Sequence, residues 1–495
     1  MQLVYKVKDR PPVGKLLIAA LQQLLAILAA TIAVPAAINA QFPDANMSAS
    51  AALLGAGVGT IVYLLFTKFR SPVFLGSSFA FLGSMAAAFA GSVSASAGYL
   101  GLIIGAAFAG LVYVVIAVVV KLVGVKWVNK LMPAVVIGPT VAIIGLSLAG
   151  NAVGDLMKGN VLNDAAEMVG SPYIALLCGL VTLAVTMVCS VYGKKNLRLF
   201  PFVIGILAGY AVAAIFTGIG TAANVDALKI IDFSKFKDMQ WLPKFSFIEA
   251  FKGNYDFGEV GSLGTYIGTI AVAYVPVAFV VFAEHIADHK NLSSIIGSEL
   301  LEDPGLSRTL LGDGVGSVAG AFFGGCPNTT YGESVGCVAI TGNASVFTIL
   351  VTACLAIVIS FFAPFVTFLS TIPSCVMGGV CIALYGFIAV SGLKMIQKVD
   401  LNENRNLFVV SVILIAGVGG LTLTFGKVTL TSVACALILG ILTNVLCSIK
   451  SKKENASSAP AAGTAEAENT EVTALSDGQT EENVAAPSNE QTEDQ

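Results

Sequence analysis

Charge is what this sequence has least of: Asp, Glu, Lys and Arg make up 12% of its 495 residues, against about a quarter in a soluble domain. Hydrophobic residues fill 56% of the chain and mean hydropathy is +0.85. A water-soluble globular protein is excluded, and a polytopic membrane protein is expected. Histidine occurs twice, at 285 and 289. Without an HExxH pattern or a visible third ligand, that pair does not read as a zinc site. There is no CxxC pair among the nine cysteines. Their odd number and apolar settings point to buried free thiols rather than to metal or redox centres.

Apolar runs long enough to cross about 30 Å of hydrocarbon fall near residues 14–38, 48–67, 74–91, 97–121, 131–150, 173–191 and 199–218, and again near 262–287, 311–325, 329–343, 345–370, 373–393, 406–425 and 430–449. The first run is too long for a signal-peptide core and reads as a first span. With the N-terminus inside, 20 of the 27 basic residues fall in cytoplasmic segments, as the positive-inside tendency requires. Both termini are then cytoplasmic. Seven spans per half make the second half enter from the opposite side, so the expected fold is all-α with about fourteen transmembrane segments in two inverted seven-span repeats.

Two spans are expected to be broken. Pro72 and Gly76 flank Ser77-Ser78-Phe79-Ala80-Phe81 in the third, and Gly324, Gly325, Pro327 and Gly332 punctuate the tenth, which carries Thr329-Thr330-Tyr331-Gly332-Glu333. Hydroxyl, hydroxyl, aromatic, small recurs at equivalent places in the two halves. Breaks at matching positions point to a midplane binding site; close helix packing through small residues is the other reading. Strand-like backbone is expected in both.

Acids at membrane depth are costly, roughly 2.5 to 3.5 kcal/mol at a helix centre, and mark functional sites. Glu333 is the first candidate. Glu284 and Asp288, four residues apart in span 8, share a helix face and are the next. They are either charges at the cytoplasmic end of a helix or groups that handle substrate and proton, since carboxylates sharing one cavity can exchange a proton. After Lys453 come ten acids and no base. This tail, 451–495, is expected to be disordered, and its acidity is no nucleic-acid signal. Residues 1–453 carry a net +7 within the whole-chain −3.

Several motifs together resemble the nucleobase/ascorbate transporter family, its bacterial uracil-carrying members above all: Arg10-Pro11-Pro12, Gly76-Ser77-Ser78-Phe79-Ala80-Phe81, Ala283-Glu284-His285-Ile286, Pro304-Gly305-Leu306, Leu311-Gly312-Asp313-Gly314, Pro327 to Glu333, and Val376-Met377-Gly378-Gly379-Val380. The resemblance covers nearly all of residues 10–450. It implies an N-terminus at 1–13, a core domain of spans 1–4 and 8–11 (14–122 and 262–370), and a gate domain of spans 5–7 and 12–14 (123–218 and 371–450). An extracellular loop at 219–261 separates the halves.

The same resemblance implies that substrate binds at Glu284, Glu333, Phe79, Tyr331 and Gly332; Asp288 and Glu284 are the expected proton-coupling residues, and no cofactor or metal is expected. It further implies a homodimer in the lipid membrane and movement of core against gate. Where uracil carriers commonly have histidine, this chain has Asp288 and Gln23. The first substrate expectation is uracil, the second xanthine or another oxidised purine, and the coupling ion a proton or sodium. An anion exchanger or channel of similar architecture is opposed by the two acids without a nearby arginine. An intramembrane hydrolase requires a nucleophile beside a base.

Overall fold

A computed structural model describes residues 3–457 apart from 125, 164–167, 195–200, 238, 240, 426 and 427. Contacts divide the chain into Met1–Ser448 and Ile449–Gln495. Of the tail expected to be disordered from 451 to 495, residues 451–457 instead continue the last helix, and the rest lies outside the described residues.

Eight helices among the described residues are long and apolar enough to cross a bilayer, and a ninth crossing is a pair of helices bent by 83°. Span 1 is Val13–Gln41, span 2 Ala49–Phe66, span 4 Ala95–Val123, span 6 Pro172–Tyr192, span 7 Pro201–Ala222, span 8 Leu263–Ile296 and span 12 Ser374–Ile396; span 5 joins Ala134–Ser147 to Ala149–Asp155. The bent pair, Val346–Ser360 and Ala363–Thr371, is span 11. Spans 9 (Leu306–Gly324), 13 (Asn404–Val418) and 14 (Ser432–Ser457) are less apolar or shorter. The remaining two are the broken ones. Span 3 is strand β1, Leu75–Ser77, followed by the helix Leu82–Phe89; span 10 is strand β2, Asn328–Thr330, followed by the helix Gly332–Thr341. The fold is thus fourteen segments in two inverted halves of seven.

Helix ends follow local chemistry. Ser48, Ser94 and Ser262 each accept a hydrogen bond from a first-turn amide of spans 2, 4 and 8, and Gly297 ends span 8 in the left-handed conformation, as expected of N- and C-caps. Span 8 therefore runs two turns past the 262–287 boundary expected from hydropathy. Glu284 and Asp288 lie inside a continuous helix, not at its end. Span 13 ends earlier than expected: after Val418 the chain forms a hairpin of β3 (Leu423–Phe425) and β4 (Val428–Leu430). Leu421 to Leu430 is rich in Thr and β-branched residues, which favour paired strands over another helical turn.

Small residues bring spans 2 and 9 together backbone to backbone. A β-carbon at Gly55 would lie 2.6 Å from the Gly320 carbonyl oxygen, and one at Gly59 2.7 Å from that of Gly316. Lipid gives no hydrophobic reward for helix contact, so this close approach replaces it with dispersion. Span 9 also packs on span 4, span 8 on span 4, and span 11 on span 2; a second set joins span 12 to spans 5 and 6, and span 6 to span 7.

Candidate functional site

The two strands form the site's floor. β1 and β2 pair antiparallel with Leu75 opposite Thr330, Gly76 opposite Thr329 and Ser77 opposite Asn328. Ser78 N donates to Pro327 O at 2.9 Å and Tyr331 N to Phe74 O at 3.2 Å. Non-helical backbone at this depth must find partners inside the protein, and here each half supplies them to the other. Thr60 of span 2 adds two more: its hydroxyl accepts from Leu75 N at 2.9 Å and donates to Leu75 O at 3.1 Å.

Gly76 has no side chain for a specific reason. A β-carbon there would overlap the Tyr331 ring, which is held flat against β1 by the Tyr331 hydroxyl donating to Ser77 O at 2.9 Å. Phe79, just past β1, is buried and meets Tyr385 of span 12 edge-on, with ring centroids 5.4 Å apart. Small residues serve close approach at more than one place in this chain. Glycines of spans 2 and 9 let two helices meet, and Gly76 leaves room for the Tyr331 ring.

Span 8 presents two faces. Glu284 and Asp288 are half-buried, whereas His285 and His289 are fully buried. The imidazoles belong to a packed polar network. His285 Nδ1 lies 2.8 Å from Asp313 Oδ2 and its Nε2 2.9 Å from Thr309 Oγ1, while His289 Nε2 lies 2.7 Å from the Tyr63 hydroxyl. The carboxylates take the accessible side. Thr330 Oγ1 donates to Asp288 Oδ2 at 2.7 Å, so β2 of span 10 holds the span 8 carboxylate directly. Gly332 is exposed, and the nearest atom to a β-carbon there would be Asp288 Oδ1 at 3.7 Å. Glu284, Asp288 and Glu333 stand within electrostatic range of one another.

Glu333 lies in the first turn of the span 10 helix, whose capping residue Tyr331 provides no side-chain cap, and the span 3 helix likewise lacks one at Phe81. Neither capping residue therefore gives the first-turn amides a side-chain acceptor, and such amides favour polar or negative groups. Gln23 of span 1, standing where related carriers have histidine, is buried and donates to Ser334 Oγ at 2.6 Å; that oxygen also accepts from Phe74 N at 3.2 Å. Residues 332–336, Gly-Glu-Ser-Val-Gly, have the GxSxG spacing of hydrolases. Both recorded partners of the Ser334 hydroxyl are amides, so no base stands ready to activate it.

Every candidate site residue lies on the three elements that meet here: Phe79 on span 3, Glu284 and Asp288 on span 8, and Tyr331, Gly332 and Glu333 on span 10. Sequence reasoning missed Thr60 and Ser334, whose side chains pair with backbone or amides of other spans, and it mentioned Thr330 only as part of a motif. Hydroxyl residues are common in membrane helices, and nothing in their spacing marks the long-range partner.

Comparison with known proteins identifies the family and the fold. The model of the "Permease family" matches residues 14–425. A uracil permease of Bacillus caldolyticus is 39% identical over 447 residues, spanning 90% of this chain and 94% of that protein. The uracil permease of Escherichia coli (strain K12) is 33% identical, over 88% of this chain and 92% of its own. Among solved structures, the transmembrane domain of the cyanobacterial bicarbonate transporter BicA superposes with a TM-score of 0.57 at 15% identity, covering 89% of this chain and 100% of that one. The murine Solute Carrier 26 family member A9 anion transporter, inward-facing, gives 0.58 at 13%, over 90% and 69%. At such identities the structures speak for the fold alone. The chain belongs to the permease family, that of the nucleobase/ascorbate transporters, and is a multi-pass membrane transporter rather than an enzyme.

Proposed function

We propose that this protein imports a nucleobase, uracil first, by symport with a proton, and that the base binds between the two broken spans and span 8. The observation that carries the proposal is the meeting of the β1–β2 pair with Glu284, Asp288 and Glu333, with Asp288 tied to β2 through Thr330. Uracil is a flat ring with two N–H donors and two carbonyl acceptors. Glu284 and Glu333 take the donors, and uncapped amides at the start of the span 3 and span 10 helices serve the carbonyls. Phe79 and Tyr331 supply ring contact, and Gly332 leaves room for the base against the backbone. The uracil permeases among its relatives support this substrate class.

The solved anion transporters are similar to this chain in fold alone. Three carboxylates in range of one another repel an anion, so the fold likeness gives no reason to expect anion exchange here. Asp288 and Glu284 carry the coupled proton. One proton moved down 100 mV supplies about 2.3 kcal/mol, roughly a fifty-fold accumulation of a neutral solute. The distribution of Lys and Arg supports both termini facing the cytoplasm. The two packing sets, spans 1–4 with 8–11 and spans 5–7 with 12–14, support a core that moves against a gate.

The test is labelled uracil uptake into vesicles, in competition with thymine, xanthine, hypoxanthine and urate, with and without a proton uncoupler. Uracil is expected to compete best, and the uncoupler to abolish accumulation. Preferential competition by xanthine would move the substrate to the purines, and uncoupler-resistant, sodium-dependent uptake would replace the proton. In the same assay Glu284→Gln and Glu333→Gln each weaken binding about ten- to a hundred-fold, the cost of losing a hydrogen bond to a charged group. Unchanged binding in both refutes the site.

A further inference from the structure

Beside β2, a small cavity of about 10 Å³ is lined by Phe81, Tyr113, Val281, Ser317 and Asn328 among others. Three of these contribute polar atoms with no hydrogen-bond partner: the Tyr113 hydroxyl, Ser317 Oγ and Asn328 Oδ1. All three residues are at least 96% buried, with exposures of 4%, 4% and 2%. Orphaned buried polar atoms are rare, and three on one cavity call for a shared partner.

The orientation of Asn328 is determined by its surroundings. Its Nδ2 donates to Gly55 O at 3.0 Å, so the carbonyl oxygen is the end turned to the cavity. Gly59 and Gly320 make the slot for this side chain, since a β-carbon on either would overlap its amide. The volume is that of about one water, and a buried water makes about three hydrogen bonds. We propose that a single water molecule is bound here, accepting from the Tyr113 hydroxyl, donating to Asn328 Oδ1 and sharing a hydrogen bond with Ser317 Oγ. It joins span 4 and span 9 to the strand whose Asn328 stands opposite Ser77, and so fixes β2 from behind.

A metal cation fits less well. The polar lining is three neutral oxygens, and a desolvated cation needs charge to offset the loss of its hydration. Asp313, one turn before Ser317, directs Oδ2 to His285; its Oδ1 is buried without a partner, but the residue is not part of the lining.

The experiment is a density map at about 2 Å or better of the full-length protein in a lipid nanodisc, for the wild type and for the double variant Tyr113→Phe/Ser317→Ala, in sodium and in choline buffer. In the wild type one density is expected about 2.7 to 3.1 Å from all three oxygens, the same in both buffers. In the double variant, with one partner left, it is expected to disappear. An empty wild-type cavity overturns the proposal. So does a density that survives the double substitution, and one present only in sodium assigns a cation instead. The wild-type maps decide the question by themselves if the double variant does not fold, and none of these outcomes depends on which solute is transported.

Discussion

Thr330→Val isolates the contact by which span 10 holds Asp288. Valine closely matches threonine in shape and keeps the β-branched preference of the strand, but it cannot donate to Asp288 Oδ2, now 2.7 Å away. Thr330 is fully buried, while Asp288 is half-buried. A hydrogen bond to a charged acceptor contributes about 1.5 to 3 kcal/mol, and partial access of Asp288 to solvent places this one near the low end, about 1.5 kcal/mol. The readout is thermal stability of purified protein for Thr330→Val, Asp288→Ala and the pair. If the contact is the one that matters, the double variant loses little more than either single variant, because each removes the same bond. Strictly additive losses would refute a direct link between the span 8 carboxylate and β2. Labelled-base affinity in the same three variants then separates a structural tie from one that positions Asp288 for its ligand.

Asp288→Asn is expected to keep measurable base binding but to flatten its dependence on pH between about 5.5 and 8, because the amide cannot exchange a proton; a profile identical to the wild type would leave Glu284 or Glu333 as the carrier. Gly76→Ala should abolish uptake at normal membrane abundance and lower thermal stability by about 1 to 3 kcal/mol, the usual penalty of overpacking, as the new methyl meets the Tyr331 ring; wild-type uptake would show that the ring is free to move. Truncation after Ser457 should leave transport nearly unchanged, checked by uptake normalised to protein in the membrane, and loss of uptake would give the acidic tail an active role.

Composition and hydropathy by themselves determined the solvent, the fourteen segments and the inverted halves, because a 30 Å hydrocarbon layer and the bias of Lys and Arg leave a strong mark on any chain that crosses it repeatedly. The breaks at Pro72, Gly76, Pro327 and Gly332 also marked spans 3 and 10, since proline and glycine act on the backbone where they stand. Two of the misplaced boundaries have a clear local cause. Span 8 continues past Lys290 to Ile296 because a helix end follows its cap rather than the end of its apolar run. The end of span 13 gives way to the β3–β4 hairpin for the converse reason, that an apolar run is compatible with strand as well as helix.

What only the tertiary structure decided is which face of span 8 does what and who holds whom. Glu284, His285, Asp288 and His289 follow one another within a turn and a half, and spacing alone left Asp288 as either an interfacial charge or a site residue. Packing turned the imidazoles toward Asp313 and Tyr63 and left the Asp288 carboxylate beside β2. The Thr330–Asp288 and Gln23–Ser334 bonds span 42 and 311 residues of sequence. Side-chain pairing over such separations is set by where whole helices come to rest, and that depends on the summed packing of the fold rather than on any local pattern of residues.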